Sequence, residues 1–188
     1  MSPVKEQIIG QKTVVLTIGH STRTISEFIE IIKACKIKKV VDIRTIPKSR
    51  HNPQFNEDTL RESLKAVKIG YLHMKGLGGL RHALKDSPNM GWRNASFRGF
   101  ADYMQTGEFE ESLEELIEAA EKRATVIMCA EAVPWQCHRS LVGDALLIRG
   151  VLVRHIMSAG SSRDHTLTPW AKVKGTKITY PPELGAQD

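Results

Sequence analysis

The chain has 188 residues, enough to bury one sizeable core, and 41% of them are hydrophobic. Its mean hydropathy of −0.26 fits a soluble globular protein. No apolar run approaches the roughly 18 residues that span a bilayer, and residues 1–12 lack the apolar centre of a signal peptide. The three cysteines form no scaffold spacing. We therefore expect a cytoplasmic protein, without membrane attachment or a secreted disulfide framework.

The formal net charge is +6, and the charges are unevenly distributed. Residues 108–123 hold seven glutamates and two basic residues, so the rest of the chain has 25 basic and 14 acidic residues. This surplus favours an anionic partner, either a phosphate-bearing small molecule, a nucleotide or a nucleic acid. A solvated basic surface would show the same composition.

Strand and helix patterns alternate along most of the chain. Patterns typical of buried strands occur at 13–18, 40–43, 69–74, 125–129 and 151–156. Amphipathic patterns typical of helices separate them, and a capping box of Thr24 and Glu27 predicts the start of the first helix. We therefore predict a three-layer α/β/α fold of Rossmann-like type, with a mainly parallel sheet of about five strands.

We expect a single α/β domain over residues 13–156 and a basic extension over residues 157–188. The extension contains a hairpin pattern around Lys174-Gly175 and should pack on or near the same domain. No internal repeat and no linker interrupts the chain.

Reactive side chains are concentrated between Cys129 and Arg139, where the fourth strand ends and a helix begins. In an open parallel sheet the carboxyl ends of the strands form the ligand-binding edge, so residues that follow other strands should converge here. The predicted groups for proton transfer or nucleophilic attack are His20, Glu131, Cys137 and His138. The predicted anion-binding groups are Ser21, Arg44, Arg50 and Arg139. The sequence therefore favours an enzyme, or a domain derived from one, that binds a phosphate-bearing molecule or a nucleic-acid end at this edge.

Cys137 is the predicted nucleophile among the three cysteines. It stands where a helix should begin, and a helix amino terminus and the nearby Arg139 both stabilise a thiolate. We therefore predict a lowered pKa for Cys137. Cys35 falls on an apolar helix face and should be core, and Cys129 should be intermediate in reactivity.

Three other interpretations remain open. A non-catalytic nucleic-acid-binding module would use the basic surface and the aromatic side chains of Trp92, Phe97, Trp135 and Trp170. A redox or metal sensor would use Cys129, Cys137 and His138, with His20 or His155 as a fourth ligand. Their spacing does not match the usual paired zinc ligands, so we predict no metal ligand. A purely structural reading makes Cys129 a core residue, pairs Glu131 with Arg139, and leaves His20 and His138 as hydrogen-bonding residues.

Several short motifs, taken in this order, resemble the domain of unknown function 488 family. They are Thr17-Ile18-Gly19-His20-Ser21, Asp42-Ile43-Arg44, Leu77-Gly78-Gly79, Cys129-Ala130-Glu131 and Cys137-His138-Arg139. The resemblance extends over about residues 14–156 and implies one α/β domain. The family has no settled activity, so the resemblance names no substrate, reaction or cofactor, and the oligomeric state is not predicted.

Overall fold

The computed structural model of the chain describes residues 12–182, and its main feature is a six-stranded sheet. The strands are β1 (Val14–Gly19), β2 (Lys39–Asp42), β3 (Gly70–His73), β4 (Thr125–Cys129), β5 (Leu152–Ser158) and β6 (Ser161–Asp164). Their order is β3-β2-β4-β1-β5-β6, and only the β5–β6 pair is antiparallel. The predicted mainly parallel α/β sheet is confirmed. The added strand β6 is short, polar and exposed, so it lacks the apolar pattern that revealed the others.

Within residues 12–182, five α-helices pack around the sheet: α1 (Ile25–Ala34), α2 (Glu57–Ala66), α3 (Ala95–Tyr103), α4 (Gly107–Lys122) and α5 (Arg139–Leu147). The predicted capping box at the start of α1 is present: the Thr24 side chain accepts from the Glu27 amide, and the Glu27 carboxylate accepts from the Thr24 amide. None of the helices within residues 12–182 is both long and apolar enough to cross a membrane.

Each face of the sheet has its own apolar core. On one face, Phe28 and Ile32 of α1 and Leu60 of α2 pack in the same cluster as the even-numbered side chains of β4, such as Val126. On the other face, side chains of α3, α4 and α5 pack against the intervening strand positions, such as Ile127. The full apolar runs of the central strands are thus explained by burial on both faces.

The order of the strands places a crevice between β1 and β4. These strands are neighbours, but the chain leaves β1 for α1 on one face and leaves β4 for α5 on the other. Such a change of direction opens a gap between the loops at the carboxyl edge, where ligands bind in open α/β sheets.

The C-terminal extension from Met157 to Pro182 continues from the sheet. After β6 it passes through residues 165–171 and forms a hairpin of β7 (Lys172–Lys174) and β8 (Lys177–Thr179), with Gly175 at φ +61°. Tyr180 is fully buried in the same core as α5. Expectations for residues 1–11 and 183–188, including the absence of a signal peptide, lie outside the described residues.

Candidate functional site

A cavity of about 430 Å³ lies at the carboxyl ends of β1, β2 and β4. The loops that follow these three strands line it with chemically active side chains. From the predicted site these are His20, Arg44, Glu131, Cys137 and His138, joined by Cys129. Residues far apart in sequence therefore meet where the sheet topology places the crevice.

The centre of the cavity wall is a cluster of two thiols and one imidazole. Ligand atoms of Cys129, Cys137 and His138 all lie within 4.8 Å of one another. Cys129 and Cys137 are 8% and 4% exposed, so both thiols are shielded from bulk water, although each borders the cavity. Three possible metal ligands thus lie together at the carboxyl edge of the sheet.

The pKa values of the two thiols are shifted in opposite directions, downward for Cys129 and upward for Cys137, whereas the sequence predicted a lowered pKa for Cys137. The pKa of Cys129 is lowered, first because the Cys137 thiol donates to it and further because His138 and the Glu131 amide lie against its sulfur. The pKa of Cys137 is raised, first by its hydrogen bond to Cys129 and then by burial. Cys137 also precedes α5, which begins at Arg139, so it lies outside the helix.

The proton arrangement of His138 suits it to exchange a proton with these thiols. Its Nε2 lies 3.2 Å from the carbonyl oxygen of Ile43, and a carbonyl can only accept, so Nε2 carries a proton. Nδ1 therefore has the free electron pair in the neutral ring, and it lies 3.7 Å from the Cys137 sulfur. A proton that leaves Cys129 can be taken up by Nδ1.

Gly79 allows the His138 ring to occupy this position. A Cβ atom at residue 79 would overlap the imidazole, with its Cγ only 2.6 Å away. The Gly78-Gly79 pair is therefore more than the flexible turn that its composition suggests. Gly79 lets the loop that follows β3 pack directly against the imidazole ring of His138.

His20 and Arg44 form a second polar group on the cavity wall. The Arg44 guanidinium binds Asp42 through Nε at 2.9 Å and Nη2 at 2.5 Å, and both side chains are buried. His20 Nδ1 lies 2.8 Å from its neighbour's carbonyl, so Nε2 is free to accept from Arg44 Nη1 at 3.4 Å. Burial lowers the pKa of His20, and Arg44 adds to that shift. In this arrangement the neutral His20 ring accepts a hydrogen bond from Arg44.

Three predicted anion-binding residues do not line the cavity. Arg139 is 1% exposed, and its guanidinium donates to the carbonyls of Glu131 and Ala132 at 2.5 and 2.9 Å. It closes the loop over residues 130–138 instead of facing a ligand. Arg50 is exposed on its loop, and Ser21 uses its amide to bind the Ala130 carbonyl. None of the three is among the residues around the cavity.

Glu131 borders the cavity with an exposed side chain, whose carboxylate accepts from the Ala132 amide at 3.1 Å. The ion pair with Arg139 that the structural reading expected is not formed, because Arg139 binds the backbone carbonyl of Glu131 instead. The Glu131 carboxylate therefore forms no ion pair with a residue that the structure describes.

The mouth of the cavity has residues that the sequence analysis did not single out. Lys48 contributes an exposed cation, and Ile46 and Leu80 contribute apolar side chains that are 60% and 67% exposed. A single lysine within a basic loop has no distinctive pattern. Its position over the cavity follows from the fold of that loop.

A protein-family model for a domain of unknown function, DUF488, matches residues 24–146. This range includes α1 through most of α5, and therefore all cavity residues except His20. No curated protein and no solved structure matches the chain.

Proposed function

The chain belongs to the family of the domain of unknown function DUF488, and we propose that it is an enzyme whose Cys129 thiolate attacks a phosphate-bearing small molecule in the strand-end cavity. The observation that carries this proposal is the convergence of the Cys137 thiol, the His138 ring and the Glu131 amide at the sulfur of Cys129. These groups stabilise a negative sulfur that borders the cavity.

The first step is the formation of the thiolate. The Cys129 proton passes to Nδ1 of His138, because Nε2 already holds a proton against the Ile43 carbonyl. The resulting imidazolium lies beside the thiolate, and each charge stabilises the other. Cys137 stays protonated and donates to the thiolate, so it acts as a positioning residue.

The second step is attack on the ligand. The Cys129 sulfur forms a bond to an electrophilic carbon or phosphorus atom, and the bond from that atom to its leaving oxygen breaks. The oxygen keeps the electron pair and takes the proton from the His138 imidazolium. Water then hydrolyses the sulfur-bound intermediate, with neutral His138 as the base, which restores the thiol.

The anionic character of the ligand is supported by the cations at the cavity. Lys48 is exposed and has no ion-pair partner among the described residues. Arg44 is largely neutralised by Asp42, so Lys48 should provide most of the attraction for a phosphate group. Ile46 and Leu80 would contact an apolar part of the same molecule.

Intact-protein mass spectrometry after rapid mixing with 4-nitrophenyl phosphate and 4-nitrophenyl acetate tests the covalent step. We expect an adduct in the wild-type protein and in Cys35→Ser, and none in Cys129→Ser. An adduct that persists in Cys129→Ser, or one that maps to Cys35, would exclude Cys129 as the nucleophile. Cys35 is the matched control because it caps the carboxyl end of α1, packs against the core on that face of the sheet, and does not line the cavity.

Competition by inorganic phosphate tests the anion site. Phosphate should slow the alkylation of Cys129 by iodoacetamide, and Lys48→Gln should remove this protection. Lys65→Gln, an exposed lysine in the last turn of α2, should leave the protection intact. Equal protection in both variants would indicate a general salt effect.

A metal centre is the second candidate function, and the close approach of three ligand atoms favours it. A tetrahedral zinc ion places a sulfur and a nitrogen ligand about 3.6 Å apart, close to the 3.7 Å between Cys137 Sγ and His138 Nδ1. The His138 Nε2 bond to the Ile43 carbonyl is the support that metal-binding histidines usually have. The fourth ligand position would face the cavity.

Metal analysis of the purified protein separates the two candidates. One zinc per chain, lost in Cys137→Ser, would favour the metal centre, and alkylation of Cys129 would then require a chelator. A metal-free protein whose Cys129 reacts directly would favour the thiolate enzyme.

A further inference from the structure

A second cavity of about 400 Å³ lies beyond the loop that separates Cys129 from Cys137. It is lined by Trp92, Trp135 and Trp170, which are all the tryptophans of the chain, and none of them borders the first cavity. Its size lies within the range of small-molecule sites. Three large aromatic side chains around one cavity point to a ligand with a flat face.

The outer wall of this cavity combines an aromatic face with a cation. Trp135 is 55% exposed, although its neighbours Pro134 and Cys137 are buried. The guanidinium carbon of Arg163 lies 5.7 Å from the centre of the Trp135 ring. Arg163 is exposed and has no ion-pair partner among residues 12–182, since the adjacent Asp164 binds Arg154 at 2.7 Å. Its charge is therefore available to an anion.

The inner wall is held rigidly by a single buried carboxylate. Asp144 is fully buried and accepts four hydrogen bonds, from His165 Nε2, the Thr168 amide, the Thr168 hydroxyl and the Tyr180 hydroxyl, at 2.6–3.0 Å. These bonds fix residues 165–170 against α5. The cavity is consequently preformed in the free protein, which reduces the entropy lost when a ligand binds.

The histidines on the inner wall form a directed chain that ends at Asp144. His165 donates from Nε2 to the carboxylate and accepts at Nδ1 from His155 Nε2 at 2.9 Å. His155 Nδ1 then accepts from the Thr17 hydroxyl at 2.7 Å. Burial lowers the pKa of His155 to about 4, with His165, Arg139 and Arg163 adding to the shift. His155 is therefore uncharged at neutral pH. The positive charge at this cavity comes from Arg163 at its mouth.

We propose that this second cavity binds a nucleotide, either free or at the end of an oligonucleotide, with the base stacked on Trp135 and the phosphate bound by Arg163. A cavity lined by aromatic side chains, with Arg163 at its mouth, matches a flat heterocycle that carries an anionic group. The carboxylate of Asp164, which also lines the cavity, is paired with Arg154. The basic hairpin that follows Trp170 has Lys172 and Lys174, which would attract further phosphates of a longer strand, whereas its Lys177 is paired with Glu110. The site is independent of the thiolate chemistry.

Intrinsic fluorescence reports directly on this site, because every tryptophan of the chain lines the cavity. We expect saturable quenching when the protein is titrated with AMP, GMP or a 5′-phosphorylated hexanucleotide. Arg163→Gln should weaken binding at least fivefold at low salt. Arg123→Gln is the matched control, because Arg123 is an exposed arginine just before β4, at the opposite edge of the sheet.

Calorimetric titration of Trp135→Leu tests the stacking contact, and we expect a loss of at least fivefold in affinity. Cys129→Ser should bind as tightly as the wild type, so this result does not depend on the proposed enzyme activity. Binding of AMP identifies a free nucleotide as sufficient, and binding of the hexanucleotide alone identifies a nucleic-acid end.

Three results would overturn the proposal. They are an absence of saturation with every probe, an equal weakening by Arg163→Gln and Arg123→Gln, and binding of ribose 5-phosphate as tight as that of AMP. The second result would indicate general attraction to the basic surface, and the third would exclude a stacked base.

Discussion

Two clusters that both contain histidine lie on either side of the start of α5. They are the thiol cluster of Cys129, Cys137 and His138, and the Asp144 cluster of Asp144, His155, His165, Thr168 and Tyr180. The two clusters differ in how their protons are held. In the Asp144 cluster, each of the four donors points to the carboxylate and the histidine chain has one consistent direction. In the thiol cluster, Nδ1 of His138 holds a free electron pair and the ring lies against the sulfur of Cys129, so it can take up the proton of that thiol. Whether a histidine is structural or reactive depends on whether its hydrogen-bond partners leave one ring nitrogen free to exchange a proton.

The largest expected effect is on the Asp144 cluster. Asp144→Asn places an amide N–H₂ against donors, so we expect the free energy of unfolding to fall by about 3 kcal/mol. Urea denaturation followed by circular dichroism measures it. Asp164→Asn removes an exposed carboxylate that pairs with Arg154 and should cost within about 0.5 kcal/mol. Similar losses of stability in the two variants would contradict a stabilising role for the four hydrogen bonds that Asp144 accepts.

The pH dependence of stability sharpens the comparison, because His155 is held neutral. Its pKa is about 4 in the folded protein, against about 6.5 in an unfolded chain. The unfolded state therefore binds more protons in this window, and stability is lost as the pH falls from 6.5 to 4, by up to about 3 kcal/mol. Urea midpoints between pH 7 and 4 measure this loss.

The control for this pH dependence is a pair of histidine variants. His155→Gln should flatten the dependence between pH 6.5 and 4, whereas His51→Gln, on an exposed loop, should retain it. A full dependence in His155→Gln would place the titrating group elsewhere.

Gly79 tests whether the thiol cluster depends on the position of the His138 ring. Gly79→Ala should displace the imidazole and destabilise the protein by about 1.5 kcal/mol, as in an overpacked core. It should also slow alkylation of Cys129. Gly107→Ala is the matched control, because a Cβ there meets no atom within 4 Å. Unchanged alkylation in a destabilised Gly79→Ala would separate His138 from the reactivity of the thiol.

The smallest expected effect concerns the hydrogen bond between the thiols. Cys137→Ala removes the donor that stabilises the Cys129 thiolate, so the pKa of Cys129 should rise, and alkylation at pH 6 should slow about tenfold, as expected for the loss of a hydrogen bond to a charged group. Cys137→Ser keeps a hydroxyl donor and should lie between alanine and the wild type. Iodoacetamide labelling over a range of pH measures both. Equal rates in all three proteins would assign the reactivity to His138 alone.

The positions of the parallel strands could be predicted from the sequence, because burial on both faces demands continuous apolar runs. The capping box of α1 was also visible, since Thr24 and Glu27 satisfy each other's amides locally. Strand β6 was not, because it pairs only with β5 at the edge of the sheet and has exposed polar side chains.

The sequence by itself determined which residue types gather at the carboxyl edge of the sheet, because parallel strands bring their ends together. Only the tertiary structure decided which of them face the cavity. Arg139 turns to the carbonyls of its own loop, and Cys129 rather than Cys137 receives the converging hydrogen bonds. The hydrogen bonds to Asp144 could not be predicted from the sequence either, because the donors Thr168 and Tyr180 lie 24 and 36 residues away in the chain. The local sequence pattern predicts strand and helix periodicity and helix capping. The direction of side chains and the sharing of protons depend on contacts between segments that are distant in the sequence.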